Sequence, residues 1–175
     1  MKSQSFIQQV PEIASLMEGA DHMDIKTVQG ELGMREFIAG LLSYQPAWMT
    51  FLYHVRGWFV RLLGMRQHGV PQAPHMRPED VPMKVGQPAL FFTVVLAEEE
   101  RYWFSEISES HLTAHLGVVV EPLTDGRKHF HVVTLVHYNS WAGPIYFNVI
   151  RPFHHIVVYS MAKGALRPRI VPNES

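Results

Sequence analysis

HYNSWAGPIYFNVIRPFHHIVVYSMAKGA, residues 137–165, is the stretch of sequence that predicts the most about this chain. Pro144 suits the first turn of a helix, where its missing N–H costs nothing, and Gly164 suits the end of one. Hydrophobic residues recur three and four positions apart, as on a helix with one face against a sheet. We therefore predict a helix over residues 144–163. The residues of its predicted sheet-facing side are Tyr146, Val149, Ile150, Phe153, Val157, Ser160 and Met161.

Pro152 falls in the middle of this predicted helix. It predicts a kink, because proline removes one backbone donor from the helix. A kinked helix laid across a sheet leaves room for a cavity, which is the first indication of a binding site. Asn148, Arg151 and His155 fall on the opposite side of the helix. On this assignment Phe153 is a core residue, and Phe153→Ala is expected to cost about 3–5 kcal/mol of stability.

Hydrophobic periodicity predicts an α+β fold for the whole chain. A short helix over residues 11–18 and a first strand precede two helices, a meander of antiparallel strands and the long helix. The predicted strands are 21–28, 89–97, 102–107, 111–121 and 127–138, and the two middle helices are 37–42 and 46–64. The sequence thus predicts an antiparallel sheet with a long C-terminal helix and two shorter helices after the first strand.

A single domain accounts for residues 1–175, because this length and a hydrophobic content of 47% suit one core. We expect the core to span about residues 20–165 and residues 166–175 to form a frayed tail. Residues 65–88 are rich in proline and predict a long loop. Such a loop is either a lid or a plain surface loop, and the plain loop is the commoner case.

The composition argues against several classes of function. A formal net charge of −1 provides no basic excess of the kind that nucleic-acid binding needs. The chain has no cysteine, which excludes disulfides and thiolate chemistry and agrees with a reducing compartment. No apolar run reaches the length of a membrane span, and the first residues do not resemble a signal peptide. We expect a cytoplasmic protein without a nucleic-acid partner and without stable membrane insertion.

Eight short motifs, in order along most of the chain, resemble those of a known family. They are Ala20-Asp-His-Met-Asp24, Pro46-Ala-Trp48, Val55-Arg-Gly57, Val60-Arg-Leu-Leu-Gly64, His111-Leu112, Val133-Thr-Leu-Val-His137, Gly143-Pro-Ile-Tyr146 and Arg151-Pro-Phe-His154. Together they resemble the bacterial domain-of-unknown-function family 2867. The order of elements resembles the helix-grip fold of the START-like (SRPBCC, Bet v 1-like) superfamily. This resemblance implies a curved antiparallel sheet wrapped on the C-terminal helix, but the family has no assigned activity.

A cluster of polar residues is predicted on one face of the sheet. Asp125-Gly126 predicts a two-residue hairpin turn, and in that register two strands bring five polar side chains to the same face. These residues are His111, Thr113, His115, Thr134 and Tyr138. We expect Tyr146 and Phe153 to cover them, because apolar walls with a few polar groups are typical of ligand pockets. The alternative is a solvated sheet face, or buried histidines with structural hydrogen bonds.

His129 and His131 have the spacing of two metal ligands on one strand face. In the two-residue register, however, they pair with Pro122 and Val120, so no third ligand converges on them. We therefore predict no metal site. The sequence also has no phosphate-binding loop and no nucleophile elbow, and we predict no cofactor.

Arg56 and His154 complete the candidate residues, since both belong to the family-like motifs on predicted helices. Arg56 is expected either to bind an acidic group of a ligand or to pair with Glu106 or Glu109 within the protein. The aromatic helix that carries Arg56 also resembles a membrane-surface helix. Its apolar face, however, is needed for the core.

Three functions agree with these patterns. The first is the binding of a small apolar or amphipathic molecule in a cavity between the sheet and the long helix. The second is a cofactor-free cyclase-, isomerase- or hydrolase-like activity with His111 or His115 as acid or base. The third is a protein–protein interaction module, a homodimer included, that uses the apolar outer face of residues 89–97. A fold-level resemblance cannot choose between them.

Overall fold

The computed structural model describes residues 6–62 and 75–167, and a six-stranded antiparallel sheet forms its centre. The strands are β1 (His22–Gly30), β2 (Pro88–Ala89), β3 (Phe92–Glu98), β4 (Tyr102–Ser108), β5 (Leu112–Pro122) and β6 (Lys128–Tyr138). The helices are α1 (Pro11–Met17), α2 (Met34–Ser43), α3 (Ala47–Leu62) and α4 (Ala142–Ala165). The strand order across the sheet is β1-β6-β5-β4-β3-β2. The predicted α+β helix-grip architecture is confirmed.

One predicted strand is wrong in its extent. The segment 89–97 forms two strands instead of one, because Leu90 adopts a φ of 60° and the chain turns back on itself there. β2 and β3 then pair with each other as a short hairpin at the edge of the sheet. Hydrophobic residues continue on both sides of the break, so periodicity alone did not reveal it.

The two faces of the sheet carry two separate cores, because successive side chains of a strand point to opposite faces. One face, here called the helical face, packs against α2 and α4. Its core includes Leu116, Val118, Val120, Phe130 and Val132, with Val158 and Ala162 of α4. The other face, here called the N-terminal face, packs against the first residues of the described chain. Its core includes Tyr102, Phe104, Val119, Val133 and Leu135, with Ile7 and Ile13.

The long helix α4 runs unbroken through Pro152, but its buried face differs from the predicted one. Phe153 and Val149 were predicted to face the sheet, and both are about half exposed, with Phe153 at 49%. The buried residues are Gly143, Tyr146, Phe147, Val158, Ala162 and Ala165. The buried side of α4 is rotated by about one residue relative to the predicted sheet-facing side. The polar His154 therefore occupies a position that Phe153 was expected to fill. The predicted cost of 3–5 kcal/mol for Phe153→Ala is therefore wrong, because a half-exposed side chain leaves little cavity when it is truncated.

The hairpin between β5 and β6 is also one residue out of the predicted register. The turn is longer than two residues, because Leu123 N–H donates to Arg127 O and closes a five-residue loop around Asp125-Gly126. His129 consequently pairs with Glu121, and His137 pairs with Thr113. A shift of one residue in the pairing moves each side chain next to a different partner and changes which residues share a face.

The described part of the proline-rich loop is fastened to the domain. Arg35 Nη1 donates to Val81 O at 3.1 Å, and Trp103 Nε1 donates to Pro82 O at 2.8 Å. Val81 itself is buried in the core of the helical face. Residues 75–87 therefore form an anchored surface segment, whereas residues 65–74 lie outside the described part.

Within residues 6–62 and 75–167, none of the helices has both the length and the hydrophobicity that a bilayer-spanning segment needs.

Two glycines allow α2 and α4 to cross at close range. A Cβ on Gly40 would lie 2.9 Å from Cα of Ala165, and a Cβ on Gly164 would lie 2.2 Å from Cδ2 of Tyr44. These separations are shorter than van der Waals contact, so neither position has room for a side chain. The C-terminal end of α4 is held against α2 by this crossing.

Gly164→Ala is expected to destabilise the protein by about 1–3 kcal/mol, because the new methyl group would force Tyr44 or the helix to move. In an open helix the same change would stabilise by about 1 kcal/mol. Lys163→Ala, at the exposed neighbouring position, is the matched control and should change stability by less than about 0.5 kcal/mol. Thermal unfolding measures both variants. A more stable Gly164→Ala protein would contradict the close crossing.

Candidate functional site

A pocket of about 470 Å³ lies between α3 and α4. We call it the α3–α4 pocket. Its described lining residues are Met49, Phe51, Leu52, Val55 and Trp58 of α3, and Val149, Ile150, Phe153, His154 and Val157 of α4. His154 is the only ionisable residue among them. This volume and an apolar lining with few polar groups are typical of small-molecule sites. The pocket lies between two helices, whereas the sequence predicted a cavity between the sheet and the long helix.

Beside the pocket, β1 and α4 bring together a cluster of charged and polar side chains, which we call the β1–α4 cluster. It consists of His22, Asp24, Lys26, His154 and His155. Lys26 Nζ lies 2.8 Å from Asp24 Oδ1, and His155 Nδ1 lies 3.1 Å from Asp24 Oδ2. His22, Asp24 and Lys26 alternate along β1, which places all three on the helical face under α4.

The surroundings of His154 and Asp24 shift the pKa values of both side chains. Burial lowers the pKa of His154 to about 4; Asp24 opposes this effect, while the nearby His155, His22 and Lys26 add to it. His154 is therefore neutral at pH 7, with one ring nitrogen that donates and one that accepts. Burial of Asp24 works against its ionisation, but hydrogen bonds from Lys26 and His155 outweigh burial and lower its pKa. Asp24 is therefore the anion of the cluster, and Lys26 and His155 each contact one of its two carboxylate oxygens.

Apart from Asp24 Oδ2, which His155 Nδ1 approaches to 3.1 Å, three buried polar atoms of this region have no hydrogen-bond partner among the described residues: His22 Nε2, Thr134 Oγ1 and His154 Nε2. Thr134 pairs with Asp24 across β1 and β6, so its hydroxyl belongs to the same side of the sheet as the β1–α4 cluster. A buried polar group without a partner costs about 1–3 kcal/mol. Such groups are usually explained by ordered water or by a bound polar molecule. The arrangement can therefore accept and donate hydrogen bonds to a ligand.

The predicted polar cluster is divided between the two faces of the sheet. The five predicted residues were expected to share one face, but the observed register places Thr134 and Tyr138 on the helical face and Thr113 and His115 on the N-terminal face. His111 lies just before β5, and its ring meets Tyr146 of α4 edge to face at 4.6 Å. The prediction that these residues line one cavity is wrong, because it depended on the two-residue turn.

Thr113 and His115 are engaged in contacts on the N-terminal face. Thr113 Oγ1 lies 2.9 Å from Ser108 Oγ and accepts a 3.0 Å hydrogen bond from Asn139 Nδ2. His115 Nε2 lies 3.0 Å from Glu106 Oε2. Burial lowers the pKa of His115, although Glu106 works in the opposite direction. The structure places these two residues in hydrogen-bonded pairs on the face away from α4 and its pocket.

Two of the remaining candidates belong to the α3–α4 pocket. Phe153 and His154 line it, and Tyr146 is buried one to two turns earlier in α4 beside Leu112 and Val136. The side chain of Arg56 lies outside the described part of α3. Among the candidates whose side chains the structure describes, His154 is thus the one predicted polar residue that belongs to both the pocket and the β1–α4 cluster.

Sequence reasoning missed most of the β1–α4 cluster, although two signals for it were present. His22 and Asp24 lie in the first family-like motif, Ala20-Asp-His-Met-Asp24, while His154 ends the last one. These motifs are far apart in sequence. The structure brings them together because β1 pairs with β6 and lies beneath α4. His155 was assigned to the exposed side of the helix. Because the buried side of α4 is rotated from the predicted one, His155 instead contacts Asp24.

A second cluster could hold a metal ion. Glu121, His129 and His131 lie on the N-terminal face, and one ligand atom from each falls within 4.8 Å of the other two. Glu121 is the third ligand that the predicted register excluded, since it pairs directly with His129 in the observed one. Burial lowers the pKa of His131, and hydrogen bonds from His129 and His131 lower the pKa of Glu121 against a smaller opposing effect of burial.

Comparison with known proteins gives a family match and similarity to solved structures. The model of the family described as "Protein of unknown function (DUF2867)" matches residues 16–161. Among curated proteins, no sequence matches the chain. The chain is similar to the solved structure of Ara h 8.0201, with 8% sequence identity and a TM-score of 0.37 over 83% of this chain and 97% of that chain. The family match spans every motif from Ala20 to His154.

Proposed function

The chain belongs to the DUF2867 family of proteins of unknown function, and we propose that it binds a small apolar or amphipathic molecule in the α3–α4 pocket. The observation that carries the proposal is the combination of an apolar pocket of about 470 Å³ with a single neutral histidine in its wall. Apolar walls supply affinity, and a few placed polar groups supply orientation. The ligand's apolar part packs against Phe153 and the α3 side chains.

The polar end of the ligand meets His154. Because the His154 ring is neutral at pH 7, it can accept a hydrogen bond from a hydroxyl or donate one to a carbonyl. The unpartnered Nε2 of His154, described above, favours a ligand that carries such a group. A purely apolar ligand would leave this nitrogen without a partner. The amphipathic class is therefore preferred to the purely apolar one.

Protein–protein interaction is the second candidate function, and a specific observation favours it. Several large hydrophobic side chains around the pocket are more than a third exposed. They are Trp48, Phe51, Val55, Trp58, Val149, Phe153, Ile156 and Tyr159. Several large apolar side chains exposed on the same two helices are typical of interaction sites as well as of ligand grooves. The surface lies on α3 and α4, whereas the sequence had pointed to residues 89–97 as the interaction surface.

Native mass spectrometry of protein purified from its own cells tests the two functions against each other. A small molecule retained at one copy per chain supports ligand binding. A homodimer or a heterologous protein partner would instead favour the interaction module. A clean monomer that also fails to bind the apolar fluorescent probe 1-anilinonaphthalene-8-sulfonate would contradict both proposals.

Phe153→Ala is expected to weaken binding of 1-anilinonaphthalene-8-sulfonate roughly tenfold, because about 1.4 kcal/mol of aromatic contact with the ligand is lost. The free energy of unfolding should fall by less than about 1 kcal/mol, because Phe153 is half exposed. Fluorescence titration measures the first quantity and urea unfolding the second. Phe91→Ala removes an exposed phenylalanine outside the pocket and is the matched control. Equal weakening by both variants would show that the probe binds elsewhere.

A further inference from the structure

The N-terminal face of the sheet carries a group of three potential metal ligands, separate from the α3–α4 pocket. Glu121 Oε2 lies 3.0 Å from His129 Nδ1 and 3.1 Å from His131 Nε2. His129 and His131 alternate on β6, and Glu121 stands opposite them on β5, so the backbone pairing itself holds the three side chains together. A ligand set on two paired strands is more rigidly placed than one on loops.

The distances suit a tetrahedral transition-metal ion. Bonds of about 2.0–2.2 Å to nitrogen and oxygen place neighbouring ligand atoms roughly 3.3 Å apart. The two distances from Glu121 are already close to this value, and one ligand atom of each residue lies within 4.8 Å of the others. Glu121 and His129 are about one-third exposed, while His131 is 1% exposed. An ion held by these residues would be closed in by protein on the His131 side and open to solvent on the other. A water molecule can then take the fourth position.

Thr27 contacts the buried metal ligand His131 at the ring nitrogen that faces away from Glu121. Its Oγ1 lies 2.9 Å from His131 Nδ1, which leaves Nε2 of the same ring directed at Glu121. Metal-binding histidines usually make such a hydrogen bond with their second nitrogen, because it fixes the ring orientation and the tautomer. The ring of Phe6 lies 5.7 Å from His131 and covers it further.

We propose that Glu121, His129 and His131 bind one Zn²⁺ ion or a similar divalent transition-metal ion, with Thr27 as the residue that positions His131. Two imidazoles and one carboxylate form a donor set that Zn²⁺ favours, whereas Mg²⁺ and Ca²⁺ prefer oxygen ligands alone. The site does not depend on the α3–α4 pocket, which lies on the helical side of the sheet. Failure of either proposal therefore leaves the other intact.

Isothermal titration of the chelator-treated protein with Zn²⁺ tests the site. We expect one equivalent of Zn²⁺ to bind, and Glu121→Gln and His129→Ala each to weaken binding at least tenfold. Glu121→Gln keeps the side-chain shape and can still hydrogen-bond with both histidines, but its amide is a poor ligand. His75→Ala removes an exposed histidine outside the cluster and should leave the affinity unchanged. Thr27→Val should weaken binding about 10–100-fold through the loss of ring positioning.

Titration with Co²⁺ adds a test of geometry, because a tetrahedral Co²⁺ site with nitrogen and oxygen ligands has a stronger visible absorption than octahedral Co²⁺ in water. Wild-type affinity in Glu121→Gln would overturn the proposal, since the three residues would then be only a hydrogen-bonded group. An affinity that falls as much in His75→Ala as in His129→Ala would also overturn it, because binding would be scattered over the histidines. Both decisive variants are at partly exposed positions, so the test does not depend on whether a His131 variant folds.

Discussion

Trp103→Ala is expected to lower the free energy of unfolding by about 3–5 kcal/mol. Trp103, the second residue of β4, is 0% exposed and packs into the core of the helical face. Its indole N–H also donates the hydrogen bond to Pro82 O that fastens the segment before β2. Alanine removes the indole and leaves this carbonyl without its donor. The cost of the cavity and the cost of the lost hydrogen bond therefore both lower the free energy of unfolding. Urea-induced unfolding measures the change.

Trp141→Ala is the matched control, because the same residue type is 80% exposed there. Its effect should stay within about 0.5 kcal/mol. Trp103→Phe should fall between the two, since it keeps most of the buried volume but loses the hydrogen bond to Pro82. Similar losses for the two alanine variants would mean that the core of the helical face is not packed around Trp103.

Acidification from pH 6.5 to pH 4 is expected to remove about 3 kcal/mol of stability through His154 alone. Its pKa is about 4 in the folded protein and 6.5 without the fold. Between these values the unfolded chain binds a proton that the folded protein does not, so stability falls as the pH falls. Each pKa unit corresponds to about 1.4 kcal/mol, which gives the size of the effect. Well above pH 6.5 and well below pH 4, the folded and unfolded states bind the same number of protons at His154, and the slope disappears.

His154→Leu isolates this contribution, because leucine fills a similar volume and does not titrate. Urea unfolding at pH 7, 5.5 and 4 should show a weaker pH dependence for the variant than for the wild type. Burial also lowers the pKa values of His22, His115 and His131. The free energy of unfolding of the wild type therefore depends more steeply on pH than His154 alone would make it. Asp24, Lys26 and His155 remain in the variant, and their contributions cancel to a first approximation. An unchanged slope in His154→Leu would contradict the burial of a neutral ring.

The sequence predicted the order of the elements well, because hydrophobic periodicity and the positions of glycine and proline are local signals. The sheet, the two helices after β1 and the long α4 all appear. Errors arose where the outcome depends on contacts between distant segments. Nothing local indicates that the loop around Asp125-Gly126 has five residues, and this one-residue change separates Thr113 and His115 from Thr134 and brings Glu121 to His129.

The site was only partly predictable for the same reason. α4 carries more apolar residues than the sheet can cover, so periodicity could not decide which of them face the core and which face α3. Phe153 was placed in the core and lines the pocket instead. His154 was chosen from a motif, while its partners His22 and Asp24 became visible only once β1 lay beneath α4.

The alternation of side chains along β1 has a thermodynamic consequence. Lys26 faces α4, and its neighbour Thr27 contacts His131 on the other face, so adjacent residues of one strand belong to the β1–α4 cluster and to the proposed metal site. If occupancy at one face displaces β1, the displacement reaches the other face as well, because both sites have residues on this strand. By linkage, a metal ion that changes the affinity for the pocket ligand by some factor must have its own affinity changed by that ligand by the same factor.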